Sequence, residues 1–415
     1  MLRFFLVLFL MALPVSAHRA SESFVTIKMQ QRGPDVAQAL LRMTDLSLRW
    51  DIALRDLDFL LDLDADSNAS ITGLEFKQAK SELIDYLFGK IALQASSKQA
   101  ASRHHHHHHH HDSAHHQLKL KEWIGAYCKR ADRVQLLVDD HSDGKFAVLI
   151  VDYVCERELD KLALDYGLLF AEDPEHRALV EINYQGKSQS YVLDKNHRHI
   201  KTKLGQVDYW QQFMSFLDQG KWHIWTGFDH ILFLLALLLP VVMLTSRHCE
   251  AKPKQSSFKS LVWSVVKIVT CFTVAHSITL TLAALELVSL DAHMVEAIIA
   301  LSIAIAALTN LWIASSRQVP LLAMTAEYSI AFVFGLIHGF GFAGALQDLG
   351  LPLGALLLSL FSFNLGVELG QLAIVIVFVP LTYVISDTWF YKNIVYRLGS
   401  VVILLLALKW FFERV

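Results

Sequence analysis

Hydrophobic and polar positions divide the chain into three stretches. Phe4 to Val15 is an unbroken apolar run behind the basic start Met1-Leu2-Arg3. From Ser23 the pattern becomes short-period and strand-like. Ser23–Gln31 and Val36–Thr44 are β-rich runs separated by Arg32-Gly33-Pro34-Asp35, which predicts a hairpin. Helical spacing is predicted from Arg49 to Leu61 and again from Gly73 to Gln94. Strands are predicted at Gln117–Trp123, Val134–Val138, Lys145–Val154, Lys161–Phe170, Ala178–Tyr184 and Ser188–Leu193. Turn residues such as Ser142-Asp143-Gly144 and Gln185-Gly186 punctuate them. Together they predict an antiparallel, sandwich-like β domain with an inserted helix pair. Gln206–Leu217 is amphipathic and aromatic, a pattern that suits a membrane surface. Beyond it lie six apolar segments, at 223–244, 261–286, 294–313, 328–346, 355–385 and 396–412. Each is long enough to cross a bilayer.

Composition sharpens this division. The 415 residues are 53% hydrophobic and 19% charged, where a soluble domain carries about 25% charged residues. The charges are unevenly placed: 57 Asp, Glu, Lys and Arg lie up to Trp222 and only 20 in the 193 residues from His223 onward. A single soluble globule is excluded. A net charge of −3 without a basic stripe gives no reason to expect a nucleic-acid partner.

The first apolar run is short for a span, and Val15-Ser16-Ala17 reads as a cleavage site. The alternative is a short membrane anchor. Residues 1–17 are therefore expected to be a signal peptide, 18–204 an exported β domain, 205–222 an interfacial linker and 223–415 a six-span membrane domain. Loops with Arg247, Lys252, Lys254 and Lys259, then Arg317, then Lys392 and Arg397, alternate with loops near Asp291 and Asp348 that lack Lys and Arg. Positive-inside bias puts the basic loops in the cytoplasm. The expected location is a bacterial inner membrane, with the β domain in the periplasm. Cys128 and Cys155 would then sit in an oxidising space and are expected to pair. Cys249 and Cys271 are expected to stay unbridged.

Three features of the exported part point to metal ions. Asp64, Asp66, Asn68, Ser70, Thr72 and Glu75 occupy positions 1, 3, 5, 7, 9 and 12 of an EF-hand-like loop, with Glu75 as the bidentate ligand. Ala69 replaces the usual turn glycine, so a weak calcium site is expected; the alternative is a solvated acidic loop. Asp139–Gly144 lacks a closing Glu and reads as a hairpin turn. Eight consecutive histidines follow, His104, His105, His106, His107, His108, His109, His110 and His111, with His115 and His116 close behind. Such a tract builds no core but suits capture of divalent metals; a cloning tag or a tolerated insertion would be the trivial readings. His18, freed by cleavage, would offer an α-amine beside its imidazole, a two-nitrogen chelate for copper or nickel.

Ionisable groups within spans are costly unless paired or functional. The first span carries His223, Asp229 and His230; the second Thr273, His276 and Thr279 on one face; the third Glu296 and Asn310. The fourth holds His338 among glycines, and the fifth Asn364, Glu368 and Gln371 on one face, with Gly366 and Gly370 as a GxxxG pair. A shared polar site is expected, against the alternative of scattered packing hydrogen bonds. Asp229, His230, His276, His338 and Glu368 are the candidate ligands, with His223, Asn364 and Gln371 supporting them. Imidazole with carboxylate suits nickel, cobalt, zinc or iron(II).

His223-x3-Gly227-x-Asp229-His230, FTVAHSITL, FGLIHGFGFAGAL and FNLGVELGQ resemble the HupE/UreJ family of membrane proteins. The long N-terminal part, with WDIALRDLDFLLDLDADSNASITGLEF, the Cys128 and Cys155 pair and EDPEHRALV, is similar to the branch bearing an exported domain. The resemblance implies a nickel or cobalt permease; zinc or copper stays open as the metal, and no enzymatic activity is expected. The resemblance also implies a link to metalloenzyme maturation proteins that supply hydrogenase or urease. Two other classes stay open: a membrane-anchored metal-binding accessory or sensor protein, and an intramembrane metalloenzyme in which histidines and a carboxylate activate water. No P-loop pattern supports direct ATP use.

Overall fold

The computed structural model describes residues 21–31, 43–68, 70–97, 128–141, 144–173, 176–248, 254–288, 290–316, 322–341 and 353–415. The expected signal peptide, His18, the strands at 36–42 and 117–123, Ala69, Cys249 and the histidines from His104 to His116 lie outside the described residues.

The N-terminal region is built of β-sheet. Strands β1 (Glu22–Gln31), β2 (Thr44–Ala53), β4 (Cys128–His141), β5 (Gly144–Cys155), β7 (Arg177–Tyr184) and β8 (Lys187–Leu193) form one sheet in the order β4-β5-β2-β1-β7-β8. Strands β3 (Ile91–Ser97), β6 (Leu159–Tyr166) and β9 (His199–Lys203) form a second. Side chains of both sheets enter one core: Trp50 of β2 meets Tyr166 of β6 edge-on, with ring centroids 5.5 Å apart. Strict alternation explains β2. Leu46, Leu48, Trp50 and Ile52 are buried in that core, while Ser47, Arg49 and Asp51 take the other face.

The structure differs from expectation in three respects. The helical reading from Arg49 began too early, because the period-2 run continues to Ala53 and the helix α1 spans Leu54–Leu61. The next helix, α2 (Gly73–Phe88), stops at Gly89 rather than reaching Gln94, and Ile91 opens β3. The sheet is also not wholly antiparallel. β1 runs antiparallel to β2 but parallel to β7, with Val25 opposite Val180. Cys128 and Cys155 face each other directly across β4 and β5 and are joined by a disulfide.

The C-terminal region is helical: α3 (Tyr209–Thr226), α4 (Phe228–His248), α5 (Lys254–Ala284), α6 (Ala292–Ser315), α7 (Leu322–His338) and α8 (Leu353–Ile385). A π-helical turn, Tyr391–Leu398, then continues into α9 (Gly399–Arg414). By length and composition, four helical stretches can each cross a membrane: Phe258–Ala284, Ala292–Ser315, Leu353–Ile385 and Tyr391–Arg414. A fifth span arises if α3 and α4, bent by 70° at Gly227, are one broken crossing. The apolar stretch Tyr328–His338 is shorter, so the described residues give four or five candidate spans where the sequence suggested six. Large apolar side chains such as Leu308, Trp312, Ile376 and Phe412 point outward, as lipid-facing surfaces do.

The stretch 206–217 is not a separate surface element. The helix α3 runs on through His223, so the expected boundary between 222 and 223 falls inside it. Tyr209 and Trp210 are exposed, but Gln212 and Phe216 are buried against the membrane helices. Gln212 donates to the Ala355 carbonyl at 3.0 Å and to Ser359 Oγ at 2.9 Å, and Trp225 donates to the Gly370 carbonyl at 3.2 Å. Glycine makes this crossing possible. A Cβ on Gly220 would overlap the Phe363 carbonyl, and one on Gly366 the Leu217 carbonyl.

Candidate functional site

The break at Gly227 decides the site. On a continuous helix, residues seven apart are separated by about 10 Å along the axis. Because the chain turns between α3 and α4, the rings of His223 and His230 come to 4.6 Å between centroids. A Cβ on Gly227 would press on the His223 carbonyl at 2.7 Å and on His230 Nδ1 at 2.9 Å, so the sharp turn needs a residue without one.

His230 is the hub. Its ring lies 5.2 Å from His338 on α7 and 6.3 Å from His276 on α5, and His223 lies 6.5 Å from His276. Four histidines from four helices therefore converge. Phe272, Phe233 and Phe363 wall them in, with ring separations of 5.4 Å (Phe272 to His338), 5.0 Å (Phe233 to His338) and 5.3 Å (Phe363 to His223). His276 and His338 are completely or almost completely buried.

Hydrogen bonds set the tautomers. His230 Nδ1 lies 2.9 Å from Asp229 Oδ1, and His338 Nδ1 lies 2.9 Å from the Phe334 carbonyl. Both partners only accept, so each Nδ1 carries a proton, and in the neutral imidazole each Nε2 then keeps its lone pair. Among the described residues, His230 Nε2, His338 Nε2 and both nitrogens of His276 are buried without a hydrogen-bond partner. A buried polar atom left unsatisfied costs about 1–3 kcal/mol, so three such side chains in one place are expensive unless something else binds there. A carboxylate or carbonyl behind the imidazole is also how metal-binding histidines are held in orientation.

The remaining candidates fall less centrally. Glu368 is half-buried and accepts from Thr270 Oγ1 at 2.7 Å. Gln371 accepts from Thr273 Oγ1 at 3.1 Å, and Asn364 Nδ2 donates to its own helix at the Leu360 carbonyl. His223, expected in a supporting position, stands inside the ring cluster instead, because the bend swings it there. The third-span residue Asn310 lies elsewhere, donating to the Ala236 carbonyl at 2.8 Å.

Among the described residues, three ligand atoms come within 4.8 Å of one another in two places, both in the β region. One is Asp64, Asp66 and Glu75, between α1 and α2. Here the loop is tied internally: Asp64 and Asp66 accept from the Asn68 amide, while Glu75 accepts from Thr72 and from the Ala65 amide. These bonds, chiefly those from Thr72, hold the Glu75 carboxyl below its ordinary pKa. Ser70 follows in the same loop, and Thr72 with Glu75 forms the capping box that starts α2. The second group is Asp51, Asp139 and His141, which no sequence motif announced. Its signal was the alternation that puts Arg49 and Asp51 on one strand face and the hairpin that returns Asp139 and His141 beside them.

The structure also shows a buried chain the sequence did not reveal. Ser21 Oγ donates to Asp56 at 2.7 Å and pairs with His176 Nδ1 at 2.6 Å, while Tyr166 reaches His176 Nε2 at 3.0 Å. Because Ser21 spends its proton on Asp56, His176 Nδ1 is the donor and Nε2 accepts from Tyr166. Burial, helped by the neighbouring Arg177 charge, pushes the His176 pKa down to about 3. Its role is to pin the start of β1.

No curated protein matches this sequence. The family model described as HupE / UreJ protein matches residues 198–414, which takes in the convergent histidines and every helix from α3 to α9. The chain belongs to the HupE/UreJ family.

Proposed function

We propose that this membrane protein carries a divalent transition-metal cation, nickel or cobalt, across a bacterial inner membrane. The HupE/UreJ family is linked in general to nickel and cobalt transport or to accessory roles around it. The observation that supports the reading is the set of buried imidazole nitrogens of His230, His276 and His338 left without partners where α4, α5 and α7 meet. Asp229 supplies the negative charge that offsets a dication, and His223, His230, His276 and His338 supply nitrogen donors of the right softness. Their ring separations leave the cluster loose, as suits a cargo that must leave again. Glu368, Gln371 and Asn364, with Thr270 and Thr273, form a polar flank of α5 and α8 along which the ion moves on. This is transport rather than catalysis.

In this reading the β region lies in the periplasm, and the histidines from His104 to His116, with His18, capture metal there. Zinc and copper are competing cargo, and calcium at Asp64 to Glu75 has a structural part. Uptake of radiolabelled nickel and cobalt in cells lacking other importers tests the reading. Wild type should accumulate the ion and His230→Ala should not. Deleting residues 104–116 should weaken uptake at low metal supply only. Membrane-inserted wild type that accumulates neither ion, yet binds them, would mark an accessory protein instead.

A further inference from the structure

The large sheet has a second face, turned away from the β-region core. At one end this face is apolar. Phe24, Ala53, Phe146 and Leu179 pack in one cluster with Phe216 and Ile224 of α3, Leu280 of α5 and Phe363 of α8. The sheet therefore rests on the membrane helices, and the same cluster includes Phe363, whose ring lies 5.3 Å from His223.

Immediately behind that apolar seam, on the same face, sits the polar group formed by Asp51, Asp139 and His141. Asp51 is the cross-strand neighbour of Phe24, and Asp139 that of Phe146. The His141 ring stacks on Phe146 at 4.2 Å and on Phe24 at 5.7 Å. Its Nε2 is 2.9 Å from Asp51 Oδ2, and one ligand atom from each of the three residues lies within 4.8 Å of the others. The side chains of Asp51 and His141 are 5% and 8% exposed. Asp139 is 53% exposed and opens the group to solvent. Arg49 bridges the carboxylates, 2.6 Å from Asp51 and 2.8 Å from Asp139.

Two carboxylates around one guanidinium leave an uncompensated negative charge when the imidazole is neutral. A separation of 2.9 Å between an imidazole nitrogen and a carboxylate oxygen suits one edge of a coordination shell, whose ligands stand about 2.0–2.2 Å from a borderline cation. Arg49 is 43% exposed and has open solvent to swing into. The Arg49–Asp51 pair within β2 alone would not call for a buried histidine on the same carboxylate.

We propose that Asp51, Asp139 and His141 form a staging site for a divalent transition-metal cation at the seam between the β region and the membrane helices, with Arg49 as the resident counter-cation that an arriving ion displaces. The site's part in transport rests on the function proposed above; its existence does not.

The test is site-resolved, so that other histidines do not obscure it. The full-length protein is treated with copper(II) and ascorbate, which oxidises ligands around bound copper, and 2-oxohistidine is mapped by peptide mass spectrometry. His141 should be oxidised well above the exposed His197, and excess nickel or zinc should suppress it. Asp139→Asn should lower the labelling at least about tenfold, since losing even an outer-shell partner of a ligand costs about that much. Arg49→Gln should lower the copper needed for half-maximal labelling. Labelling of His141 no greater than that of His197, or unaffected by both substitutions, overturns the site. In cells, Asp139→Asn should raise the half-saturating metal concentration for uptake and leave the maximal rate unchanged. Wild type that labels at His141 but transports nothing overturns the transport reading alone; intact transport with no labelling overturns the staging site alone.

Discussion

Asn310 on α6 donates to the carbonyl of Ala236 on α4, the carbonyl that Pro240 leaves without a helical partner. The neighbouring Leu239 carbonyl accepts from Tyr391 at 3.0 Å, and Tyr396 reaches the Asn310 carbonyl at 3.0 Å. A helix interrupted by proline is thus patched by side chains from the π-helical turn and from α6.

Asn310→Leu should destabilise the helical region by about 0.5–2 kcal/mol, the range of hydrogen bonds between membrane helices. Thermal unfolding in detergent reads this. Restoring the missing backbone donor with Pro240→Ala should recover part of the loss in the double variant. Independent effects of the two changes would mean that Asn310 does not serve the carbonyl freed by Pro240.

His230→Ala should abolish uptake while the chain still inserts, since it removes the hub of the ring cluster; it also takes the hydrogen-bond partner from the Asp229 carboxylate, so some loss of thermal stability should accompany it. Asp229→Asn should do the same. It keeps the shape and removes the charge that orients His230 and offsets the ion. Ser277→Ala should matter little, because Ser277 only donates back to the Thr273 carbonyl of its own helix.

Breaking the bridge between Cys128 and Cys155 should cost the β region up to about 3–4 kcal/mol, as closing a loop of 27 residues does. Cys128→Ser with Cys155→Ser, compared with wild type by thermal unfolding, measures it. A loss well below 1 kcal/mol would mean that strand pairing alone already closes the hairpin.

Acid should loosen the pinned start of β1. His176 takes up a proton near pH 6.5 when unfolded but only at about pH 3 when folded. Stability is therefore complete above pH 6.5 and falls by on the order of 1 kcal/mol per pH unit below it. His176→Gln should be less stable at pH 8 yet flatter between pH 6.5 and 5. Parallel curves would show that another group controls the acid limb.

Calcium should raise the unfolding temperature of the full chain at millimolar concentration, the loose range of extracellular calcium modules, about 10⁻⁴–10⁻³ M. Glu75→Gln should remove the shift and Ala69→Gly should enlarge it. No shift in wild type or Ala69→Gly leaves the loop as an internally bonded connection between α1 and α2.

Local pattern alone determined much of this protein. Alternation marked the strands, apolar length marked the helical region, and the cost of ionisable groups in hydrocarbon singled out His230, His276 and His338 before any contact was visible. What tertiary structure decided are the relations between distant segments, which no local period encodes. Gly227 shows why: it reads as one small residue in a span, but the bend there turns His223 from a bystander two turns away into a neighbour of His230. The parallel pairing of β1 with β7 is equally invisible, since register between strands some 150 residues apart depends on core packing, not on either strand's own pattern. Asp51, Asp139 and His141 are just as invisible in the sequence. Each looks like an ordinary strand or hairpin residue, and only the closing of β2, β4 and β5 into one sheet brings the three side chains together behind the apolar seam with the membrane helices.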